Sequence, residues 1–145
     1  MNTPEFFYPV KNNLYRVIDG DTVEVTLDRG WNDTKRTALR ILGIDTPESN
    51  TRRDLLEREA GQLVTKVVEA WFAKQTAQLY ASSEKKPKFF GRTIGRIWAG
   101  TIDNEISAYL SEKGLVADYH GGTKVPWTKE KLASIIESAP PLLEG

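Results

Sequence analysis

The sequence predicts an α+β fold with five short β-strands and three α-helices. One observation behind this is a pair of β-branched, apolar runs joined by Asp19-Gly20-Asp21, an Asp-Gly turn typical of hairpins. The other is a stretch over residues 54–73 whose apolar residues recur at steps of three and four, the spacing of a helix with one buried face. At 145 residues the chain can bury a core, and we expect one domain over residues 1–145.

The strand predictions follow local residue preference. Strands are predicted at residues 14–18, 23–27, about 35–44, 77–81 and 93–99. The first three form a meander, because only short polar turns separate them. Residues 82–88 are rich in lysine and are predicted to form a loop.

The helix predictions rest on periodicity and on capping residues. Helices are predicted at residues 54–73, about 103–114 and 128–138. Asp103 or Asn104 can cap the second helix, and Gly114 can end it in the left-handed conformation. Residues 139–145 include two prolines and are predicted to form a loose tail.

The composition narrows the chemistry of any bound metal. The chain has no cysteine and one histidine, His120, which excludes thiolate sites and favours cations that prefer oxygen ligands. The formal charge is balanced, with 20 basic and 20 acidic residues, whereas nucleic-acid-binding proteins usually carry a positive excess. Basic and aromatic residues nevertheless cluster locally, at Lys85, Lys86, Lys88, Phe89, Phe90, Arg92, Arg96 and Trp98.

The sequence predicts no membrane association. No apolar run approaches the roughly 20 residues that a transmembrane helix requires. The first ten residues lack the basic and apolar regions of a signal peptide. We therefore expect a cytoplasmic location for the chain as written, with secretion only if a leader has been removed.

Three carboxylates follow strands or turns from which they can converge. Asp21 lies in the hairpin turn and Asp45 just past a strand, so both can bind one cation with the Thr46 carbonyl. Glu48 leaves the sheet after Pro47 and can accept a proton from water. Alternatively, Asp21 only shapes the turn and Glu48 is an exposed charge before a helix.

Two arginines can supply positive charge beside these carboxylates. Arg40 stands in an apolar strand, where a buried guanidinium needs an anion, either a structural carboxylate or a substrate phosphate. Arg92 follows Gly91, which allows close backbone approach. Each arginine alone has a structural explanation, but a pair suits phosphoryl transfer, in which negative charge must be neutralised in the transition state.

A helix between the third and fourth strands is the element order of an OB-fold β-barrel. Over residues 12–137 the motifs resemble those of the staphylococcal nuclease-like (thermonuclease) family. The matching segments are Val17-Ile18-Asp19-Gly20-Asp21-Thr22-Val23, Leu39-Arg40-Ile41-Leu42-Gly43-Ile44-Asp45-Thr46-Pro47-Glu48, Gly91-Arg92, Asn104-Glu105 and Gly114-Leu115-Val116. The resemblance implies a five-stranded OB-fold barrel with three α-helices and a Ca²⁺-dependent nuclease that cleaves DNA and RNA, leaving 3′-phosphate ends.

The resemblance also implies a role for each matched residue. Metal binding falls to Asp21, Asp45 and Thr46, catalysis to Arg40, Glu48 and Arg92, and substrate binding to Lys88, Phe90 and Tyr119. A half-buried core position is the alternative for Tyr119. Lys88-Phe89-Phe90 departs from the family's best-known member, which has Asp-Lys-Tyr before Gly-Arg and is strongly basic overall.

We expect a monomer that acts on DNA and RNA with little sequence specificity, because no element is suited to reading base edges. Single-stranded substrate is favoured, since an OB groove admits unstacked bases. Balanced charge predicts weaker and less salt-dependent binding of long nucleic acid than in the strongly basic family member. The alternative is a non-catalytic OB-fold module that binds nucleic acid or protein. Such modules usually lack one or more of the five acidic and arginine positions, all of which this sequence retains.

Overall fold

The strands of the chain form two sheets, and the computed structural model describes residues 3–4, 6–83 and 93–144. The strands are β1 (Phe7–Asp19), β2 (Thr22–Asp28), β3 (Thr34–Ile41), β4 (Gly43–Asp45), β5 (Leu79–Ser82), β6 (Thr93–Gly95), β7 (Ile97–Ala99) and β8 (Ala117–Tyr119). The α-helices are α1 (Leu55–Lys74), α2 (Ile106–Glu112) and α3 (Lys129–Ser138), with short 3₁₀ segments at Ile102–Asn104 and Pro140–Leu143. The α+β class and the three α-helices agree with the sequence prediction.

The larger sheet curls so that its two ends come close together. Its strand order is β6-β3-β2-β1-β5-β7, and only Arg96 separates the end strands β6 and β7 along the chain. Backbone hydrogen bonds hold this segment to both ends, from Leu42 N to Gly95 O (2.8 Å) and from Ser82 N to Arg96 O (2.9 Å). One residue can join opposite ends of a sheet only if the sheet curls toward a barrel. The curled sheet is consistent with an OB-like fold.

The number of strands differs from the prediction, and the five-stranded barrel is not confirmed. The strand predicted at residues 93–99 is divided at Arg96, because β6 pairs with β3 whereas β7 pairs with β5. The strand predicted at residues 35–44 is divided at Leu42, where the chain turns away from β2. The strand that follows, β4, pairs with β8 instead. Strand β8 is absent from the prediction, since three residues are too few to give an alternating pattern.

The helix bounds agree closely with the prediction. α1 and α3 each begin one residue late, because Asp54 and Thr128 are caps whose side chains accept hydrogen bonds from the first turn. α2 is shorter than predicted and follows the 3₁₀ segment. Within the described residues, no helix combines the length and the apolar character needed to cross a bilayer.

The hydrophobic core lies between the curled sheet and one face of α1. That face is formed by the predicted periodic positions together with Gly61, and its buried residues are Ala60, Gly61, Val64, Val67, Val68, Trp71 and Phe72. The end of the chain packs on the same core, since Ala139 is buried and Leu142 contacts the cluster. The loose tail predicted at residues 139–145 is therefore folded against α1 as far as residue 143.

Closure of the sheet predicts a large cost for a side chain at Gly95. A Cβ atom there would overlap the carbonyl oxygen of Ser82 on β5. We expect Gly95→Ala to lower the free energy of unfolding by about 2–4 kcal/mol, because two backbones must separate. Urea denaturation measures the loss.

Gly30→Ala is the matched control, since Gly30 has a φ of +83° but open space around it. It should cost only about 1 kcal/mol, the usual penalty of a left-handed backbone. Equal losses in the two variants would show that the close approach of β6 to β5 does not determine the cost of a side chain at residue 95.

Candidate functional site

A cleft of about 630 Å³ opens between the β1–β2 turn, the segment after β4 and residues 124–127. Its lining includes six carboxylates, Asp19, Asp21, Asp45, Glu48, Asp54 and Glu57, together with the two cations Arg40 and Lys124. Among the described lining residues negative charge is therefore in excess, which favours binding of a cation.

Strand pairing brings the predicted residues Asp21, Arg40 and Asp45 together. Thr22 pairs with Arg40 across β2 and β3, and the backbone amide of Ile41 donates to the Asp21 carbonyl at 2.8 Å. Asp45 ends β4, where its partner on β8 is Ala117. All three residues are nearly buried, with 5–8% of each exposed.

The helix α1 packs against the β1–β2 turn and against the segment that contains Pro47 and Glu48. A Cβ atom on Gly20 would lie 2.9 Å from Val64 Cγ1, so the β1–β2 turn rests directly on the helix. A Cβ atom on Gly61 would lie 2.6 Å from the Pro47 carbonyl oxygen and 2.8 Å from the carbonyl carbon of Glu48. Only glycine allows this approach, so Gly61 helps to set the position of the Glu48 backbone.

The Arg40 guanidinium lies between the two buried aspartates. Its Nη1 donates to the carbonyl oxygens of Ile41 (3.2 Å) and Ile44 (3.0 Å), which fixes the plane of the group. Its Nη2 lies 3.4 Å from Asp21 Oδ2 and 3.6 Å from Asp45 Oδ1. Of the two anions that the sequence allows for Arg40, the structure therefore provides the internal carboxylates.

These contacts leave two buried polar atoms without a hydrogen bond among the described residues, Arg40 Nη2 and Asp45 Oδ1. Buried polar atoms are usually hydrogen-bonded, so an unsatisfied carboxylate oxygen beside a cleft is a suitable ligand for a cation. In the described part of the chain, no group of three or more histidine, cysteine, aspartate or glutamate side chains has the geometry of a metal site. Asp21 and Asp45 would therefore need the Thr46 carbonyl and water to complete a shell.

The pKa values of the turn carboxylates Asp19 and Asp21 are shifted in opposite directions. Burial, assisted by the hydrogen bond and the negative charge of Asp21, raises the pKa of Asp19 to about 6. Burial opposes ionisation of Asp21 as well, but the hydrogen bond with Asp19 and the charge of Arg40 hold its pKa below the ordinary value. Asp21 therefore ionises at lower pH than Asp19, and a metal ligand must be ionised.

Glu48 lies at the edge of the same cleft and is exposed. Its backbone amide donates to Glu57 Oε2 on α1 at 2.9 Å, which anchors the residue from the helix. Within the described residues its carboxylate makes no hydrogen bond or ion pair. The side chain is therefore free to reach a water molecule or a ligand in the cleft.

Lys124 is a cleft residue that the sequence prediction omits. Its Nζ lies 3.1 Å from Asp45 Oδ1 and 5.6 Å from the centre of the Tyr119 ring. The same ring lies 5.3 Å from Arg40 Cζ, and the Tyr119 hydroxyl donates to the Gly122 carbonyl at 2.9 Å. A prediction of β8 could have found Lys124, because pairing of β8 with β4 brings the residues that follow β8 over Asp45.

Three predicted site residues, Lys88, Phe90 and Arg92, lie outside the described residues. Their roles stay predictions from the sequence. Tyr119 is half-buried, and its ring lies close to the cationic groups of Arg40 and Lys124. Its role in substrate binding stays a prediction from the sequence.

The raised pKa of Asp19 predicts a pH-dependent stability. Between pH 3.8 and about 6 the folded state keeps a proton that the unfolded chain releases, so this group's contribution to stability falls as pH rises. Asp19→Asn mimics the protonated carboxyl and removes the fall. In a chelator, the variant should exceed the native protein in free energy of unfolding near about pH 7.5 but not near about pH 4.

Urea denaturation at several pH values measures this difference. Asp103→Asn, at an exposed position in a 3₁₀ segment, is the control for the loss of one carboxylate, and the pH dependence of Asp19→Asn is compared with it. A pH-independent effect of Asp19→Asn would contradict the assignment of the raised pKa.

Comparison with known proteins gives one further finding. No family model matches the chain. The chain is 32% identical over 90 residues, 60% of its length, to a thermonuclease from Staphylococcus hyicus. The match covers 47% of that protein, so the chain spans about half the length of this curated relative. The chain is therefore distantly related to a staphylococcal thermonuclease.

Proposed function

We propose that the protein is a Ca²⁺-dependent nuclease that hydrolyses phosphodiester bonds in DNA and RNA. The observation that carries the proposal is the convergence of Asp21, Arg40 and Asp45 in a cleft that also presents the exposed carboxylate of Glu48. The distant relationship to a thermonuclease supports the reaction class. The metal and the cleavage position are finer proposals that follow from the sequence resemblance.

The donor set fits a hard cation such as Ca²⁺. Asp21, Asp45 and the Thr46 carbonyl would hold it, because all three donors are oxygens and Asp45 Oδ1 accepts no hydrogen bond from the described residues. When bound, the cation would neutralise phosphate oxygens and make water a stronger acid. An incomplete protein shell also leaves positions open to water and substrate.

Arg40 would stabilise negative charge on the scissile phosphate. Its Nη1 is committed to two backbone carbonyls, whereas its Nη2 makes long ion-pair contacts without a hydrogen bond. A cation on Asp21 and Asp45 would take over their charges, and Nη2 could then donate to a phosphate oxygen. A preorganised donor of this kind acts chiefly in the transition state, where charge accumulates.

Glu48 would accept the proton of the attacking water. Its carboxylate is exposed in the cleft, and its backbone is fixed by Glu57 and by the close approach of Gly61. In-line attack on phosphorus with departure of the 5′ oxygen would leave a 3′-phosphate end. Arg92, Lys88, Phe90 and Tyr119 are the proposed further contacts to substrate.

The substrate we propose is single-stranded, with little sequence preference. A groove of an OB-like fold admits unstacked bases more easily than a stacked duplex. The protein as a whole has no net charge, so long-range attraction of nucleic acid should be weak.

Glu48 is the residue of choice for a test, because Arg40→Ala would remove the ion-pair partner of Asp21 and leave Asp45 with the partly exposed Lys124. That loss alone costs about 3–5 kcal/mol of stability and would confuse catalysis with folding. Glu48→Gln removes only the proton acceptor at an exposed position. We expect it to lower the rate of cleavage by about 10²–10⁴-fold, the usual contribution of a general base.

The experiment follows cleavage of labelled single-stranded DNA and RNA with calcium or with a chelator. Glu59→Gln on the exposed face of α1 is the matched control and should cleave at the native rate. Mass spectrometry of the products distinguishes 3′-phosphate from 3′-hydroxyl ends. Cleavage that persists in chelator, or equal rates for the two variants, would contradict the mechanism, and binding without cleavage would favour the non-catalytic module.

A further inference from the structure

Lys124 places its ammonium group beside Asp45, one of the two carboxylates proposed to bind the divalent cation. Its Nζ lies 3.1 Å from Asp45 Oδ1, closer than Arg40 Nη2 at 3.6 Å. The contact is electrostatic, since this oxygen has no hydrogen-bond partner among the described residues. A divalent cation that binds Asp45 through the same oxygen must displace the ammonium group.

A divalent ion and Lys124 would compete for the same oxygen of Asp45. The Lys124 ammonium lies 3.1 Å from Asp45 Oδ1, so an ion bound to that oxygen would be close to it. Electrostatic repulsion between the two positive groups at that distance couples binding of the ion to release of Lys124.

Lys124 can withdraw without disturbing the fold. Its side chain is 54% exposed, whereas the Asp45 side chain is 8% exposed. The segment that carries it lies outside helices and strands, between β8 and α3, and is anchored at Trp127, which packs against the core. A rotation of the side chain is enough to move the ammonium from Asp45 into the open cleft.

A phosphate in the cleft would then find Lys124 available. Among the described lining residues, the other cation is Arg40, and its Nη1 is committed to backbone carbonyls. We propose that Lys124 neutralises Asp45 in the metal-free protein and transfers its ammonium to the substrate phosphate when a divalent cation takes Asp45. This inference rests on the proposed nuclease function. It adds a residue that pairs with Asp45 when the metal is absent and with the substrate phosphate when the metal is bound.

Two binding measurements test the transfer, and neither needs catalysis. Calorimetric titration with Ca²⁺ alone compares the native protein with Lys124→Gln. Fluorescence anisotropy with a labelled oligothymidylate in Ca²⁺ compares Glu48→Gln with the double variant Glu48→Gln/Lys124→Gln, so that substrate is not consumed. Lys129→Gln, an exposed lysine at the start of α3, controls for the lost charge.

The two affinities should change in opposite directions. Loss of a partly exposed ion pair should raise Ca²⁺ affinity roughly two- to fivefold, and loss of a phosphate contact should lower oligothymidylate affinity by a similar factor. Lys129→Gln should change each affinity by a smaller factor. A residue with a merely structural role would weaken both.

The outcomes separate this inference from the function on which it rests. Unchanged or weaker Ca²⁺ binding by Lys124→Gln, with binding lost in Asp45→Asn, would overturn the competition and leave the metal site intact. Unchanged oligothymidylate binding would overturn the transfer to phosphate. Absence of Ca²⁺ binding in the native protein would overturn the proposed metal site and this inference together.

Discussion

The guanidinium of Arg40 lies between the carboxylates of Asp21 and Asp45, and the local architecture keeps these charges together. Burial of ionised groups is costly unless they are paired, so the three residues depend on one another. Arg40 lies in β3, Asp21 in the β1–β2 turn and Asp45 in β4. A shift in the register of the strand pairs would therefore separate the three side chains. Closure of the sheet at Gly95 and the support of α1 beneath both loops hold this arrangement from outside.

The same network suggests how a protein with no net charge would bind the polyanion that we propose as its substrate. The cleft is rich in carboxylates, and Arg40 is already engaged with them. Repulsion from the aspartates would disfavour binding of a phosphate until a divalent cation neutralises their charge. The cation would thereby serve binding as well as chemistry, and it would free Arg40 Nη2 and Lys124 for the substrate.

The sequence predicts the elements that depend on local pattern. The periodic face of α1, the Asp-Gly hairpin and the convergence of Asp21, Arg40 and Asp45 all follow from residue spacing. The pairing of β4 with β8 does not, because three-residue strands carry no periodic signal and their partners are distant in sequence. Lys124 is missed for this reason, and Arg40 is seen from sequence as buried but not as fixed by two backbone carbonyls.

Anomalous X-ray scattering from a crystal of the protein grown with calcium would locate the ion. We expect a calcium peak within about 2.3–2.6 Å of oxygens from Asp21, Asp45 and the Thr46 carbonyl, with Lys124 Nζ moved away from Asp45. A peak elsewhere, or a crystal in which Lys124 and Arg40 keep their contacts with Asp45 at saturating calcium, would contradict this expectation.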